Sequence, residues 1–320
     1  MIKLGDIVRE VLIEGGNVFG DTSPIKKQFI DPTINMFINE LSRIYPKKAS
    51  SFRSFEKLGS AGKKPISGDI DLAYDVENLM PNGKPDLTGW NIDAYEFSQA
   101  VEKIQKRART ATLEQSQLRA MIEFIGNNIN QATNNIQTDL KQSTAGSLFC
   151  KAIQYNSEGE DLNKTVQIDI NVGDPKWLRF SYHSSTYKGN VKGLHRTQLL
   201  VALFAHKDRI FKHAQGVINK ETRELEAKTP EETLDLINRL YGVKLDQNTL
   251  DDYFKLMDYL KKNLADDDLN GIYDRYLKIL DSTRADIPED LQQYWIQNKE
   301  RLGLKGKFLP DDSKLKQYIQ

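Results

Sequence analysis

Cysteine is nearly absent from this sequence, because Cys150 is the only one in 320 residues. A single cysteine excludes an internal disulfide framework and any zinc knuckle built from several thiolates. Its place in an apolar stretch predicts a small core residue on a β-strand. So few thiols are typical of a reducing compartment, and we therefore expect a cytoplasmic protein.

Long apolar runs are absent as well. No stretch of about 18 apolar residues occurs, and the first residues, MIKLGDIVREVLIEGG, alternate apolar with charged side chains instead of forming a signal-peptide core. No membrane partner is therefore expected. Hydrophobic residues make up 39% of the chain and charged residues 28%, which indicates a globular protein. Its 320 residues leave room for one elaborated domain or two.

The chain also lacks an excess of one charge, since 45 lysines and arginines balance 45 aspartates and glutamates. No overall positive field therefore attracts nucleic acid. The distribution is uneven, because basic residues dominate positions 43–64 and 176–212 while acidic residues dominate 69–96. Such segments are usually solvated surface, but two basic segments around an acidic one would also suit a polyphosphate held over metal ions.

Hydrophobic spacing predicts a protein that mixes helices and strands. Apolar residues recur at helical spacing over residues 29–45, and residues 54–76 have the pattern of a strand, a loop and a second strand. Residues 91–140 contain few helix breakers, so one or two long helices are expected there. Residues 147–155 and 164–172 predict an antiparallel pair of strands.

A pair of aspartates marks the second strand of the 54–76 segment. Side chains alternate between the faces of a strand, so Asp69 and Asp71 point to one side while Ile70 points into the core. Hard oxygen ligands a few ångströms apart are what Mg²⁺ requires. Asp169 lies in a second alternating segment and would add a third carboxylate from a neighbouring strand. Three such acids can hold two metal ions, one that activates an attacking oxygen and one that steadies a leaving pyrophosphate.

The surroundings of these acids resemble a known signature. Two stretches carry the resemblance, Leu58-Gly59-Ser60 and Gly68-Asp69-Ile70-Asp71-Leu72. They resemble the motif of the DNA polymerase β-like nucleotidyltransferase superfamily, which is a hydrophobic residue, glycine, glycine or serine, a loop, then acid, hydrophobic, acid, hydrophobic. Asp169 falls where the third carboxylate of that family is expected. The resemblance covers residues 50–172 in motif terms.

The resemblance implies roles for the loop. In that family the glycine and serine, here Gly59 and Ser60, start a short helix whose amides and hydroxyl meet a triphosphate. Glycine permits close backbone approach, and a helix amino terminus offers free N–H groups to phosphate. Lys63 is either a phosphate neighbour or a solvated loop lysine. Relatives that make oligoadenylates or cyclic nucleotides often have a further Gly-Thr here, whereas this chain has Gly62-Lys63-Lys64.

Two further cations precede an apolar helical stretch. Lys192 and Arg196 are four residues apart, and Arg196 comes four residues before Leu200, so both cations lie near the inward-facing stripe at the start of the helix. Cations on that side need partners. Binding of a triphosphate explains them, and so does pairing with a structural acid or an outward-turned side chain.

The predicted fold class is therefore α/β (α+β), with a mixed sheet of the nucleotidyltransferase type, flanking helices and a helical carboxy-terminal domain. Residues 1–190 would form the catalytic domain, with a helical insertion over about 91–140. Residues 191–320 would form the helical domain, ending in a tail over 301–320. The sequence leaves the oligomeric state open.

The predicted function is metal-dependent transfer of a nucleoside monophosphate from a nucleoside triphosphate such as ATP to a hydroxyl, with release of pyrophosphate. Two Mg²⁺ or Mn²⁺ ions would be bound by Asp69, Asp71 and Asp169. An RNA 3′ end or a second nucleotide is the expected acceptor, and a protein or antibiotic hydroxyl is the alternative. A non-catalytic protein that keeps the fold and binds nucleotide or nucleic acid is the rival interpretation.

Overall fold

The computed structural model describes residues 18–108, 111–184, 191, 193–283, 287–298 and 302. The described residues up to Arg179 form one compact unit, and those from Phe180 onward form a second. The predicted boundary between residues 190 and 191 falls where most residues lie outside the described part. The predicted tail over 301–320 also lies outside it, except for Leu302.

The first unit is built around one mixed sheet. Its strands are β1 (Ile25–Lys26), β2 (Glu56–Lys57), β3 (Ile66–Ser67), β4 (Asp69–Asp75), β5 (Ile136–Asp139), β6 (Ser147–Tyr155) and β7 (Asp161–Gly173). The sheet has the order β2-β4-β7-β6-β5, and β1 pairs separately with β3. Only β4 and β7 run parallel within this sheet as described. The predicted α/β class and the antiparallel β6–β7 pair are confirmed.

Helices pack against this sheet. The helices of the first unit are α1 (Lys27–Ile44), α2 (Ala49–Phe52), α3 (Ala94–Arg107) and α4 (Leu113–Ala132). Helix α5 (Pro175–Ser181) begins in this unit, and its last two residues, from Phe180, belong to the second. Both α1 and α4 contact β6. The shared core includes Leu41 from α1, Met121 from α4, and Ile70, Leu72, Ile168 and Ile170 from the two parallel strands. Each such side chain, fully buried, contributes about 1.5–3 kcal/mol, which holds the central strands in register.

The insertion between β4 and β6 is mostly helical, as predicted. Helix α4 begins with a capping box in which the hydroxyl of Thr112 accepts from the amide of Gln115, and the side chain of Gln115 accepts in return. The prediction is wrong for residues 136–139, which form the edge strand β5. Buried Ile136 and Thr138 alternate there with exposed Gln137, which is the period of a strand.

The second unit is more than a helical domain. Its helices are α6 (Gly193–His206), α7 (Pro230–Tyr241), α8 (Gln247–Leu250), α9 (Tyr253–Asn263), α10 (Asp266–Thr283) and α11 (Glu289–Gln297). A three-stranded antiparallel sheet of β8 (Arg209–Lys212), β9 (Gly216–Asn219) and β10 (Leu225–Ala227) lies between them in the chain. The prediction of helix is wrong for the three short strands within residues 209–227, and Asp208, with a left-handed φ of 56°, separates α6 from the first of them. Among the described helices, none has the length and apolar character needed to cross a membrane.

Candidate active site

The register of the two parallel strands brings the predicted acids together. Asp71 on β4 is the direct partner of Asp169 on β7, and Asp69 is the partner of Gln167. Paired residues on adjacent strands are about 4.8 Å apart and point to the same face. Ile70, which lies between the two aspartates of β4, is fully buried in the core. The three aspartates therefore share the face of the sheet opposite to that of Ile70.

Asp71 is held through both its side chain and its backbone. Its Oδ1 accepts from Nδ2 of Asn171 at 3.3 Å, and its backbone carbonyl accepts from the amide of Leu58 at 2.9 Å. Burial, together with the negative charge of Asp69, raises the pKa of Asp71 to about 8. A Cβ atom added to Gly59 would lie 3.3 Å from Oδ2 of Asp71. The glycine of the motif is thus directly against this carboxylate.

Asp169 is buried, with 4% exposure, and is held by a neighbour on its own strand. Gln167 donates from Nε2 to both carboxylate oxygens, at 2.9 and 3.1 Å. Burial, with a smaller effect from Asp169, raises the pKa of the Cys150 thiol above its ordinary value. Cys150 is fully buried on strand β6. The sequence-based prediction of a core cysteine is therefore confirmed.

The donor set suits a hard cation. Asp69, Asp71 and Asp169 offer carboxylate oxygens from adjacent strands, and a cation would offset the burial and the repulsion from Asp69 that raise the pKa of Asp71. Within the described residues, however, no three acidic, histidine or cysteine side chains are close enough to hold a metal ion as they stand. The hydrogen bonds from Gln167 leave each oxygen of Asp169 a second lone pair, so they do not prevent this carboxylate from binding a cation.

The loop after β2 is a turn rather than a helix. Residues 59–63 are in turns, with the amide of Lys63 donating to the carbonyl of Ser60 at 3.0 Å. The implied helix start at Gly59-Ser60 is therefore wrong. Gly59 and Gly62 both have left-handed φ, 58° and 75°, which interrupts a right-handed helix. Lys63 lies on the exposed side of this turn, where partial desolvation lowers its pKa.

A cavity of about 700 Å³ opens beside the same loop. Lysines give it most of its charge, and Nζ of Lys57 pairs with Asp31 at 2.7 Å. The described residues that line it are Lys26, Lys27, Gln28, Ile30, Asp31, Lys57, Gly62, Pro65 and Ile66. This set contains none of the three predicted acids, so the cavity is separate from the carboxylate face.

The sequence predicts two candidate phosphate-binding cations near the start of α6, Lys192 and Arg196. Lys192 lies outside the described residues. Arg196 is buried, with 2% exposure, and donates to the carbonyl of Leu250 at 3.0 Å, to that of Phe180 at 2.7 Å and to Oδ1 of Asp251 at 2.9 Å. Burial lowers its pKa to about 10, and Asp251 opposes that shift. These contacts match the structural-acid alternative, and its nucleotide-binding role stays a prediction.

Sequence reasoning missed two amide side chains beside the acids. Gln167 and Asn171 flank Asp169 on β7, two residues to either side, so all three point to one face. Asn171 accepts from the hydroxyl of Ser147 at 2.9 Å and donates to Asp71. The alternation Val-Gln-Ile-Asp-Ile-Asn-Val held the signal, since polar residues at every second position of an apolar strand share one face.

No model of a protein family matches the chain, and no curated protein matches it. Two solved structures of polymerase beta from Leishmania infantum are similar in part. The ternary P/T complex has 11% identity and a TM-score of 0.34 over 77% of this chain and 88% of that one. The ternary gap complex has 10% identity and a TM-score of 0.33 over 72% and 77%. At TM-scores this low, the likeness by itself defines no common fold.

Proposed function

We propose that this chain is a metal-dependent nucleotidyltransferase that moves a nucleoside monophosphate from a nucleoside triphosphate to a hydroxyl, with release of pyrophosphate. The main support for this proposal is the pairing of the two central strands of the sheet. The pairing of Asp71 with Asp169 on adjacent parallel strands sets them side by side, with Asp69 on the same face. Asp71 and Asp169 are about a hundred residues apart in the chain, so a local motif alone would not bring them together.

The proposed roles follow from the chemistry of the side chains. Asp69 and Asp71 would bind both metal ions, and Asp169 would bind the catalytic one and help to accept the proton of the attacking hydroxyl. Bound Mg²⁺ or Mn²⁺ would supply charge stabilisation for the transferring phosphoryl group. The raised pKa of Asp71 supports this role, because a carboxyl that is partly protonated near neutral pH gains its charge when a cation is beside it.

The loop would hold the triphosphate. Gly59 lies against Asp71 and has no side chain between the backbone and the carboxylate, so phosphate oxygens could approach both at once. Ser60 would donate its hydroxyl to the β- or γ-phosphate, and Lys63 would add a positive charge. The sequence also predicts Lys192 and Arg196 as nucleotide-binding residues, but the hydrogen bonds of Arg196 to Asp251 and to two backbone carbonyls favour a structural role for it. The acceptor is proposed to be an RNA 3′ end or a second nucleotide.

The test is transfer of label from each α-labelled nucleoside triphosphate in the presence of Mg²⁺ or Mn²⁺, with and without total RNA. Label on RNA would identify a terminal transferase, and label in a small new product would identify a nucleotide synthase. Label on protein would identify protein modification. Asp71→Asn is expected to abolish transfer and to leave the fold intact, because the amide keeps the shape and removes the charge.

Asp75→Asn provides the matched control. Asp75 ends the same strand, and its carboxylate accepts from the amide of Glu77, a role that the oxygen of asparagine can keep. We expect full transfer in this variant. Transfer that persists in Asp71→Asn would contradict the proposal. Absence of any product from the wild type, with equal nucleotide binding by Asp71→Asn, would favour a non-catalytic binding protein.

A further inference from the structure

Gln167 is fully buried on β7, two residues before Asp169 and on the same face of the sheet. A buried amide needs partners at both ends, because an unsatisfied polar group in the interior is strongly unfavourable. Both ends of Gln167 have them. Oε1 accepts from the backbone amide of Val18 at 2.9 Å, and Nε2 donates to both oxygens of Asp169.

These two partners fix the orientation of the amide. The N–H of Val18 can only donate, so it must face the oxygen of Gln167. Both oxygens of Asp169 lie within hydrogen-bond distance of Nε2, so the NH₂ group faces Asp169. A flip of the amide would break the hydrogen bond from Val18 and the two hydrogen bonds to Asp169, and the NH₂ group is therefore held toward Asp169 by the backbone of residue 18.

We propose that Gln167 is a positioning residue for the third carboxylate of the site, and that it sets the orientation in which Asp169 meets a divalent cation. The inference rests on the proposed function, because Asp169 is a metal ligand only within it. A carboxylate oxygen has two lone pairs, so it can accept from Gln167 and bind a cation as well. Groups that hydrogen-bond to metal ligands in this way typically account for about 10–100-fold in affinity.

The backbone that holds Gln167 belongs to the segment of residues 18–23, which is fastened to the same sheet. The amide of Ser23 donates to the carbonyl of Thr165 at 2.8 Å, and Lys151 pairs with Asp21 at 2.9 Å. Gln154, buried on β6, donates to the carbonyls of Ser23 and Thr165 at 3.0 Å each. Gln154 thus holds the same segment as Gln167, through contacts that include no carboxylate.

Gln167 and Gln154 can be compared in the full chain, with Gln154 as the control. Gln167→Met and Gln154→Met each remove one buried amide of the same size, and Mn²⁺ binding is measured by titration calorimetry after melting curves confirm folding. We expect Gln167→Met to bind Mn²⁺ about 10–100-fold more weakly than the wild type, and Gln154→Met to bind as the wild type does. In the transfer assay, Gln167→Met should need more Mg²⁺ for half-maximal rate, with most of the rate recovered at saturation.

The outcomes separate the two proposals. Unchanged Mn²⁺ affinity in Gln167→Met, or an equal loss of affinity in Gln154→Met, would overturn the positioning role of Gln167. If the wild type still transfers nucleotide in that case, the proposed function is not affected. A wild type that neither binds Mn²⁺ nor transfers nucleotide would overturn both. If Gln167→Met does not fold, Val18→Pro removes the N–H that orients Gln167 and keeps every side chain of the sheet. Weaker Mn²⁺ binding is expected there as well, and unchanged binding would overturn the role.

Discussion

At the scale of single residues, Gly59 leaves open space beside Asp71, one of the proposed metal ligands. Gly59 has a left-handed φ of 58°, and a Cβ atom there would be 3.3 Å from Oδ2 of Asp71. Contacts of this length require the neighbour to give by a few tenths of an ångström, and that neighbour is a proposed metal ligand. The glycine of the motif therefore has two separate reasons to be glycine, its backbone conformation and the room it leaves beside Asp71.

A comparison of Gly59→Ala with Gly83→Ala should distinguish the effect of backbone strain from the effect of crowding Asp71. Gly83 also has a left-handed φ, 74°, but nothing lies within 4 Å of its added Cβ. Both variants should lose about 1–2 kcal/mol of unfolding free energy through backbone strain, measured by chemical denaturation. Only Gly59→Ala should also lose nucleotide transfer, because it crowds Asp71. Equal activity in the two variants would show that the space beside Asp71 is not needed.

At the scale of elements, Arg196 joins three parts of the second unit. It lies on α6, donates to the end of α8 through Leu250, reaches Asp251 just beyond it, and donates to Phe180 on α5. Its guanidinium also lies 4.3 Å from the centre of the Phe180 ring. The sequence placed this cation near an inward-facing stripe but could not choose its partner, because Asp251 is distant in the chain.

Arg196→Met distinguishes a structural role of Arg196, through its ion pair with Asp251, from a role in nucleotide binding. Removing one member of a buried ion pair destabilises proteins by about 3–5 kcal/mol, and the lower end is expected because the Asp251 side chain is 30% exposed. The measurement is chemical denaturation together with the affinity for a non-hydrolysable nucleoside triphosphate. We expect lower stability and unchanged nucleotide affinity in the folded protein. Asp251→Asn, which removes the charge and keeps an acceptor, should lose less stability, whereas a large loss of nucleotide affinity in Arg196→Met would support the nucleotide-binding role.

At the scale of the whole molecule, local sequence patterns predict where helices and strands occur better than they predict which strands pair. The period of two in residues 69–72 and 166–171 was enough to place the three aspartates on polar faces of strands. It could not show that β4 and β7 pair in parallel with Asp71 opposite Asp169, since strand pairing is decided by the packing of distant segments. Short strands such as those over residues 209–227 were missed because three or four residues carry too little periodicity to outweigh a neighbouring helical run.

The stability of the whole chain should respond to divalent cations if the carboxylate face binds them. A ligand that binds only the folded state stabilises it, by about 2.7 kcal/mol at a concentration of 100 times its Kd. We therefore expect Mn²⁺ to raise the melting temperature of the wild type, and a chelator to reverse the effect. In Asp71→Asn the metal-free protein should be at least as stable as the wild type, because a buried carboxyl with a raised pKa has been replaced by a neutral amide.

Mn²⁺ should then raise the melting temperature of Asp71→Asn much less than that of the wild type. Asp75→Asn carries the same change on the same strand and should respond to Mn²⁺ as the wild type does, which excludes a general effect of lost negative charge. A chain that melts at the same temperature with and without Mn²⁺ would contradict a cation site on this face. An equal rise in melting temperature in all three proteins would mean that Mn²⁺ binds elsewhere, since binding would then not require the Asp71 carboxylate.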